Sequence, residues 1–274
     1  MQNTVGISFS DNHCYLTQFT QENEILSLSG VTSFFYEQDS LGAIESNIDT
    51  IKSYLSKSTR VVLALPSQDI LLKNLVVDAA LTDEEIIFHI QSQSLILFGH
   101  TPEQLCFDYE SHFMNGNNRH LIVTACHQHK ISSYQALFNQ LKMPLDVIDV
   151  DVFSLLRITF FLTNETDIIL LFQYNNQLLV IVTQNGKLQK IERFDFIFSD
   201  ALTQLNLPLS PGNKTTVFSA DHKLKTHLDQ LGIPYNELDI ASLFNARIQN
   251  KSAIPNHALH PFFISMGAGL WSVS

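Results

Sequence analysis

The stretch TDIILLFQYNNQLLVIVTQNGKLQKIERF, Thr166 to Phe194, decides the reading of the chain. Ile168–Tyr174 is an apolar run. Asn175-Asn176 can take the positive φ angles of a tight turn, because asparagine tolerates the left-handed region better than most residues. Gln177–Thr183 is apolar again, Gln184–Lys187 turns at Gly186, and Leu188–Phe194 leads away. Three consecutive antiparallel strands are the simplest structure that fits.

Bulk properties narrow the class. Of 274 residues, 45% are hydrophobic and 16% charged, a composition that folds and does not stay disordered. The longest apolar runs, such as Ile168–Phe172, reach about five residues, whereas a spanning helix needs roughly 20, so no transmembrane segment is expected. Met1–Ser10 carries no basic residue and no apolar core followed by small residues, so no signal peptide is expected either. The net charge is −11, with 16 Lys and Arg against 27 Asp and Glu. Nucleic acid and direct adhesion to an anionic bilayer are therefore excluded as expected partners, since both need clustered cations. Cys14, Cys106 and Cys126 are odd in number, lie in or beside apolar runs and form no C-x-x-C pair; buried thiols in a reducing compartment are expected.

Working outward, Thr4–Phe9, Cys14–Phe19 and Glu24–Phe35 read as strands, Leu41–Leu55 as a helix and Arg60–Leu65 as a strand stopped by Pro66. From Gln68 to Val150 the pattern spells β-α-β-β-α-β. Its first helix, Leu81–Phe98, opens on Thr82 with Glu85 three residues later, the signature of a capping box. Helix Val152–Leu162 follows. After the three strands of the opening stretch come a short helix near Ser199–Leu205, strand Thr215–Phe218, helix Lys223–Leu231, strand Ile233–Leu238 and a last helix entered after Pro261. Both halves thus run β-β-β-α-β. The expected class is α/β: a duplicated actin-like (ribonuclease H-like) fold with an inserted β-α-β-β-α-β subdomain and a shortened second half. The expected division is 1–66, 67–150 and 151–274, with helix 151–163 completing the last. One α/β domain joined to an unrelated α+β domain is the alternative.

Three stretches together resemble one family. The first, VVLALPSQDILLKNLVVDAALTDEEIIFHIQSQSLILFGHTPEQLCFDYE (Val61–Glu110), carries Ala64-Leu65-Pro66, Lys73, Leu81 with Asp83-Glu84-Glu85, Pro102-Glu103 and Phe107-Asp108-Tyr109. The second is VIDVDVFSLLRI, Val147–Ile158, and the third PFFISMGAGLW, Pro261–Trp271. Their order and spacing resemble the PilM proteins of type IV pilus assembly and their MshI-like relatives. They are similar more distantly to the cytoplasmic part of GspL in type II secretion. The resemblance implies an actin-like fold and a cytoplasmic location, peripheral at the inner membrane through a partner. It implies capture of the N-terminal peptide of a PilN-like bitopic protein, and contact with other pilus platform proteins. It also implies ATP in the cleft of members that keep the phosphate loops.

This chain departs from those loops. Where the family reads Gly-Ile-Asp-Ile-Gly, Gly6-Ile7-Ser8-Phe9-Ser10 stands, with Tyr15 near a family lysine. Leu171-Phe172-Gln173 stands at the second Asp-x-Gly, and Ser219-Ala220 at the adenosine glycines. Only Asp195 to Lys214 separate the second hairpin from the adenosine loop, so most of the subdomain that roofs the nucleotide is expected to be missing. Phosphate loops need glycine so that backbone N–H groups can approach the oxygens, and Mg²⁺ needs carboxylate or other hard oxygen ligands. With Ser8, Ser10, Leu171, Gln173, Ser219 and Ala220 at these places, the expectation is no catalytic residue, no ATP or other cofactor, and no metal. The alternatives are an active actin-like ATPase or kinase whose loops align differently, and a GspL-like secretion component.

Other constellations are weaker. His127-x-His129 is one pair among eleven histidines and is read as chance, and His257 with His260 as a surface turn. Cys126 beside His127 is no dyad by adjacency alone. Asp149 and Asp151 could be paired acids, but Asp151 is read as the cap of helix Val152–Leu162. Gly267-Ala268-Gly269 lacks a third glycine and a preceding strand, so no dinucleotide site is read there, and the resemblance implies a close-packing start to the final helix. Asp83-Glu84-Glu85 suits a helix N-terminus. The expected work of the chain is to hold an extended or turn-like apolar peptide between the inserted subdomain and the first-half core, in a groove whose residues the sequence does not name.

Overall fold

A computed structural model of the chain describes residues 2–10, 12–23, 25–37, 39–55, 59–113, 117–174, 177–195, 214–218, 222–230, 232, 234–237, 248–252, 254–255 and 259–271. The chain opens as an antiparallel meander, β1 (Gln2–Ser10), β2 (His13–Glu22) and β3 (Ile25–Phe35). Two short helices, α1 (Ser40–Ser46) and α2 (Ile48–Ser53), carry it back to β4 (Thr59–Leu65), which lies parallel to β1. β1 alternates faces. Val5, Ile7 and Phe9 join the core beneath α1 and α2, while Thr4, Gly6 and Ser8 point the other way. β4 is buried on both faces from Val61 to Leu65, as a central strand with helices on each side requires.

The inserted segment supplies β5 (Ile70–Asp78), α3 (Asp83–Ser92), α4 (Ser94–Phe98), β6 (Leu105–Phe113), β7 (Asn118–His127) and α5 (Gln128–Gln140). The three strands pair antiparallel in the order β5-β7-β6. α3 opens on the expected capping box: Glu85 N donates to Thr82 Oγ1 (3.3 Å) and Thr82 N donates to Glu85 Oε2 (2.8 Å). The last α-β pair behaves differently from the expected unit. Tyr134 and Phe138 of α5 are fully buried in the first-half core with Val5 and Ile7, and β8 (Val147–Val150) pairs parallel with β4. A strand's own residues state that it pairs, not with whom, and here β4 offered an open edge.

The second half repeats the first. β9 (Ile168–Tyr174), β10 (Gln177–Gln184) and β11 (Lys187–Asp195) form the meander, β12 (Lys214–Phe218) runs parallel to β9, and α7 (His222–Gln230) leads to β13 (Asn236–Glu237), parallel to β12. The orders β3-β2-β1-β4-β8 and β11-β10-β9-β12-β13 match strand for strand. β14 (Gln249–Asn250) then adds to β3, so the second half of the chain closes the edge of the first sheet. The helix expected near Ser199–Leu205 lies outside the described residues.

Between the two sheets lie α6 (Asp151–Thr163) and α8 (Phe263–Gly269), sharing one core with Val62 and Ala64 of the first sheet and Ile168, Leu170 and Phe172 of the second. α6 starts one residue earlier than expected. Val150, still extended, is the residue before the helix and makes no side-chain cap bond, so Asp151 is the first helical residue and accepts from Ser67 Oγ (3.1 Å). Asp149 is held by Ser154 Oγ (2.6 Å) and Arg157 Nη1 (2.9 Å), and the same Nη1 donates to the Gly267 carbonyl (2.9 Å). This ion pair ties β8, α6 and α8 together.

Glycines of α8 and Gly6 of β1 permit direct backbone contacts. A Cβ on Gly267 would overlap the Ser154 carbonyl of α6, and one on Gly6 would overlap the Ser265 carbonyl and the Gly269 amide of α8. A Cβ on Gly269 would sit 2.8 Å from the Phe19 ring. Backbone has no rotamer with which to yield. Gly267→Ala is therefore expected to destabilise by about 1–3 kcal/mol or more, lowering the melting midpoint by roughly 3–10 °C. An unchanged midpoint in a thermal melt would mean that α6 and α8 relax apart freely. Burial also pushes the His260 imidazole down to about 4, so the fold holds it neutral. Between pH ~6.5 and that value the unfolded chain binds the extra proton, so this histidine's effect on stability turns unfavourable as pH falls through the window. In urea titrations, the stability of the wild-type chain relative to His260→Gln is expected to be flat above pH 7 and to decline from pH ~6.5 towards 4; a flat difference throughout refutes this.

Candidate functional site

Two places could carry function, and the first is the gap between the tips of the two β-hairpins. Ser8 is buried on the face of β1 that looks at α8, paired with Tyr15 across the hairpin and Ala64 in β4. Its hydroxyl has no hydrogen-bond partner among the described residues. Ser10 closes the hairpin opposite His13 and lines a polar cavity of about 610 Å³ with Asn12, Asp39, Gln68, Asp69 and Lys130. The cavity's cation is already paired, Lys130 with Asp69.

The repeat fixes how the second hairpin corresponds. Ser10↔His13 and Tyr174↔Gln177 are the tip pairs, and Ser8↔Ala64 and Phe172↔Phe218 end the parallel ladders. Phe172, not Leu171, therefore takes the place of Ser8. Leu171 points to the opposite face, fully buried with Leu224 and Leu228 of α7, and Gln173 is half-buried beyond it. The sequence reading was one residue out, which moves a strand side chain to the other face. Neither register supplies a carboxylate. Ser219 and Ala220 lie outside the described residues.

What occupies the gap is aromatic. A single 3-10 turn, His260–Phe262, sits between the hairpins. The Phe262 ring meets Tyr15 of the first hairpin edge-on at 5.2 Å, and the His260 ring stacks on Phe172 of the second at 6.0 Å. The sequence reading took His260 for a surface turn; Pro261 and the buried Phe262 were the available signal.

The second place is a groove. β8 is an outer strand of the first sheet and β6 an outer strand of the inserted sheet, and residues of both line one cavity. A cavity of about 280 Å³ lies on one side, walled by Ile70, Phe107, Ala125, Ile131 and Ile148. A second of about 410 Å³ continues it past Phe153, Phe160, Leu188 and Trp271. The two share Asp108, Thr124, Ile148, Asp149 and Val150, so they form one trough. Arg157 lines it, with its guanidinium carbon 4.6 Å from the Trp271 ring centroid. Asp108 and Glu110 rim it. Cys106 and Cys126 face each other across β6 and β7; burial raises both thiols, and Cys106 Sγ donates to Gln128 Oε1 (2.7 Å). The trough offers strand edges, apolar walls and fixed charges, which suit an extended peptide better than a small polar ligand.

The His127 ring lies 4.5 Å from His100 and 5.3 Å from His129, yet among the described residues no group of three or more His, Cys, Asp or Glu could hold a metal ion. No described helix is long and apolar enough to cross a membrane.

Comparison with known proteins adds the following. No match is found among curated protein sequences. The PilM–PilN type IV pilus biogenesis complex contains a chain that superposes with a TM-score of 0.75 at 15% identity, over 99% of this chain and 98% of that one. The cytoplasmic domain of EpsL, an inner-membrane component of the type II secretion system of Vibrio cholerae, gives 0.57 at 12% identity over 97% and 94%. A Bacteroides thetaiotaomicron protein with an actin-like ATPase fold and unknown function gives 0.55 at 13% over 96% and 95%. At these identities the superpositions establish the actin-like fold. The profile of the family described as type IV pilus assembly protein PilM matches residues 36–173, half of the chain, and to that family the chain belongs.

Proposed function

We propose that the chain is a non-catalytic adaptor of a pilus assembly platform. In this reading it lies at the cytoplasmic face of the inner membrane and holds the N-terminal tail of a PilN-like bitopic protein in the trough between β6 and β8. Contacts with other platform proteins would use the remaining surface. The observation that carries the reading is the trough itself, two open strand edges with apolar walls. An extended tail can add main-chain hydrogen bonds to either edge while its alternate side chains enter the walls. Two or three Leu or Ile anchors, at about 1.5–3 kcal/mol each before ordering costs, would supply part of the roughly 8 kcal/mol of micromolar capture, with main-chain hydrogen bonds and further contacts supplying the rest.

The hairpin gap supports the non-catalytic half of the proposal. Phosphoryl transfer rests on positioning and charge neutralisation. Ser8 and Phe172 offer no carboxylate for a metal, and Phe262 and His260 stand between the hairpins. Nor is there room for a phosphate against Gly6, whose free side is filled by the Ser265 carbonyl.

Thermal melts separate the readings. A nucleotide at 100 times its dissociation constant would stabilise the fold by about 2.7 kcal/mol; Mg-ATP at millimolar concentration is expected to give no shift, and a clear one would restore a working ATPase. A synthetic peptide of the partner's N-terminal tail is expected to raise the midpoint by several degrees. Thr124→Arg, half-exposed in the trough wall, is expected to abolish that shift while leaving the free chain's midpoint unchanged. Peptide binding that survives Thr124→Arg would put the tail elsewhere.

A further inference from the structure

α3 and α4 cover one face of the inserted sheet through Ile86, Ile90 and Phe98, all buried. Their outward side is not polar. Ile87, Phe88, Leu95 and Ile96 are 40%, 72%, 64% and 86% exposed. Single exposed hydrophobics are ordinary; these four share one helical stripe. Glu84, Ile87, Phe88, Gln91, Ser92, Leu95 and Ile96 follow the i, i+3, i+4, i+7 spacing, and bonds from Gln93 N to His89 O and from Leu97 N to Gln93 O carry the ladder from α3 into α4. At 1.5 Å per residue the stripe is about 18 Å long and one helix wide, about 10 Å.

The charge around it has one sign. Asp83, Glu84 and Glu85 stand at its start and Glu103 just past its end, all exposed. From Ser67 to His127 the sequence holds eight carboxylates and two cations, Lys73 and Arg119, and Asp69 pairs with Lys130 just beyond. The Arg119 guanidinium is engaged with the Leu81 carbonyl (3.1 Å) and Ser111 Oγ (3.1 Å). An anionic bilayer is repelled by this surface, and a second copy brings the same acids. The stripe is also far smaller than the roughly 800 Å² per partner of a stable dimer interface.

From this we infer that the α3–α4 face is a second docking surface, taking an amphipathic helix of about four turns that presents Leu, Ile or Phe along one face and Lys or Arg near both ends. The apolar residues of that helix pack on Phe88, Leu95 and Ile96, and its cations meet the acids at the two ends of the stripe. The surface lies on the opposite face of the inserted sheet from Leu72 and Ile122, which pack on the core between the two main sheets. It is therefore separate from the trough, and the inference does not rest on what the trough holds.

The test uses the full chain and a fluorescent 14-residue helical peptide, about four turns long, designed with leucines along one face and lysines near both ends. It is expected to bind at micromolar to tens-of-micromolar concentration in anisotropy titrations, and the Phe88→Ser/Ile96→Ser variant to bind at least about tenfold more weakly although every acid remains. Glu84→Gln is expected to weaken binding about twofold and to reduce its salt dependence. Both variants change exposed side chains and should melt as the parent does. Thr124→Arg should bind the peptide unchanged; loss of binding there would mean that the peptide enters the trough and would overturn the inference. So would equal binding of a scrambled leucine–lysine peptide or of a leucine–glutamate peptide, since neither combines the stripe with complementary charge. A dimer in sedimentation that Phe88→Ser/Ile96→Ser dissolves would assign the face to a second copy. Co-sedimentation with phosphatidylcholine–phosphatidylglycerol vesicles, lost in the same variant, would assign it to a bilayer.

Discussion

The molecule is organised by a contact between backbones. α8 lies directly on β1 at Gly6 and directly on α6 at Gly267, with no side chain interposed in either case. Such contacts set a distance that side-chain repacking cannot adjust, because a close-packed interior responds by discrete rearrangement and not by gradual give. The two sheets are each anchored to this helix pair, β2, β3 and β4 on one side and β9 with β10 on the other, through one core. Arg157 adds a polar clamp at the same point, joining the Asp149 carboxylate of β8 to the Gly267 carbonyl of α8. Leaving either charge of such a buried pair alone is costly, so the clamp fixes where β8 ends and α6 begins.

The state of the hairpin gap follows from that anchoring. His260 and Phe262 immediately precede α8, so fixing α8 against β1 also fixes their turn between Tyr15 and Phe172. The aromatic contacts are therefore a consequence of the helix position and not an independent embellishment. Ser8, on the same face of β1 as Gly6, is left with a buried hydroxyl that no described residue satisfies, at a cost of about 1–3 kcal/mol. A strand inherited for its place in the sheet can carry that cost when its neighbours Val5, Ile7 and Phe9 hold it through the other face.

The duplicated order of elements was legible because each meander announces itself locally: apolar runs alternate with Asn and Gly turns, and the positive φ angles of Asn12, Asn185 and Gly186 are where such residues belong. The capping box at Thr82 and Glu85 was legible for the same reason, three residues being enough to specify it. What was not legible depends on partners distant in sequence. α5 and β8 read as parts of the inserted unit, and only the open edge of β4 and the space beneath α1 draw them into the first half. Leu171 and Phe172 differ by one residue, and periodicity alone cannot say which face of a strand buried on both sides looks at α8. Arg157 gave no signal either, since its three partners lie on β8, α8 and the segment after α8.

These misplacements explain the trough. Because β8 is given to β4, β8 and β6 each end a sheet, and residues of both line the same cavity. The inserted sheet is three strands wide, with α3 and α4 packed on one face and the other face turned to the body. Ile70, Leu72 and Ile122 make that contact by packing on the two main cores. The unit is thus held by one face and open along one edge, an arrangement in which a strand laid in the seam would join two sheets at once. An occupant bonded to both edges would stiffen the attachment of the inserted unit to the body, and with it the direction in which α3 and α4 present their outward stripe.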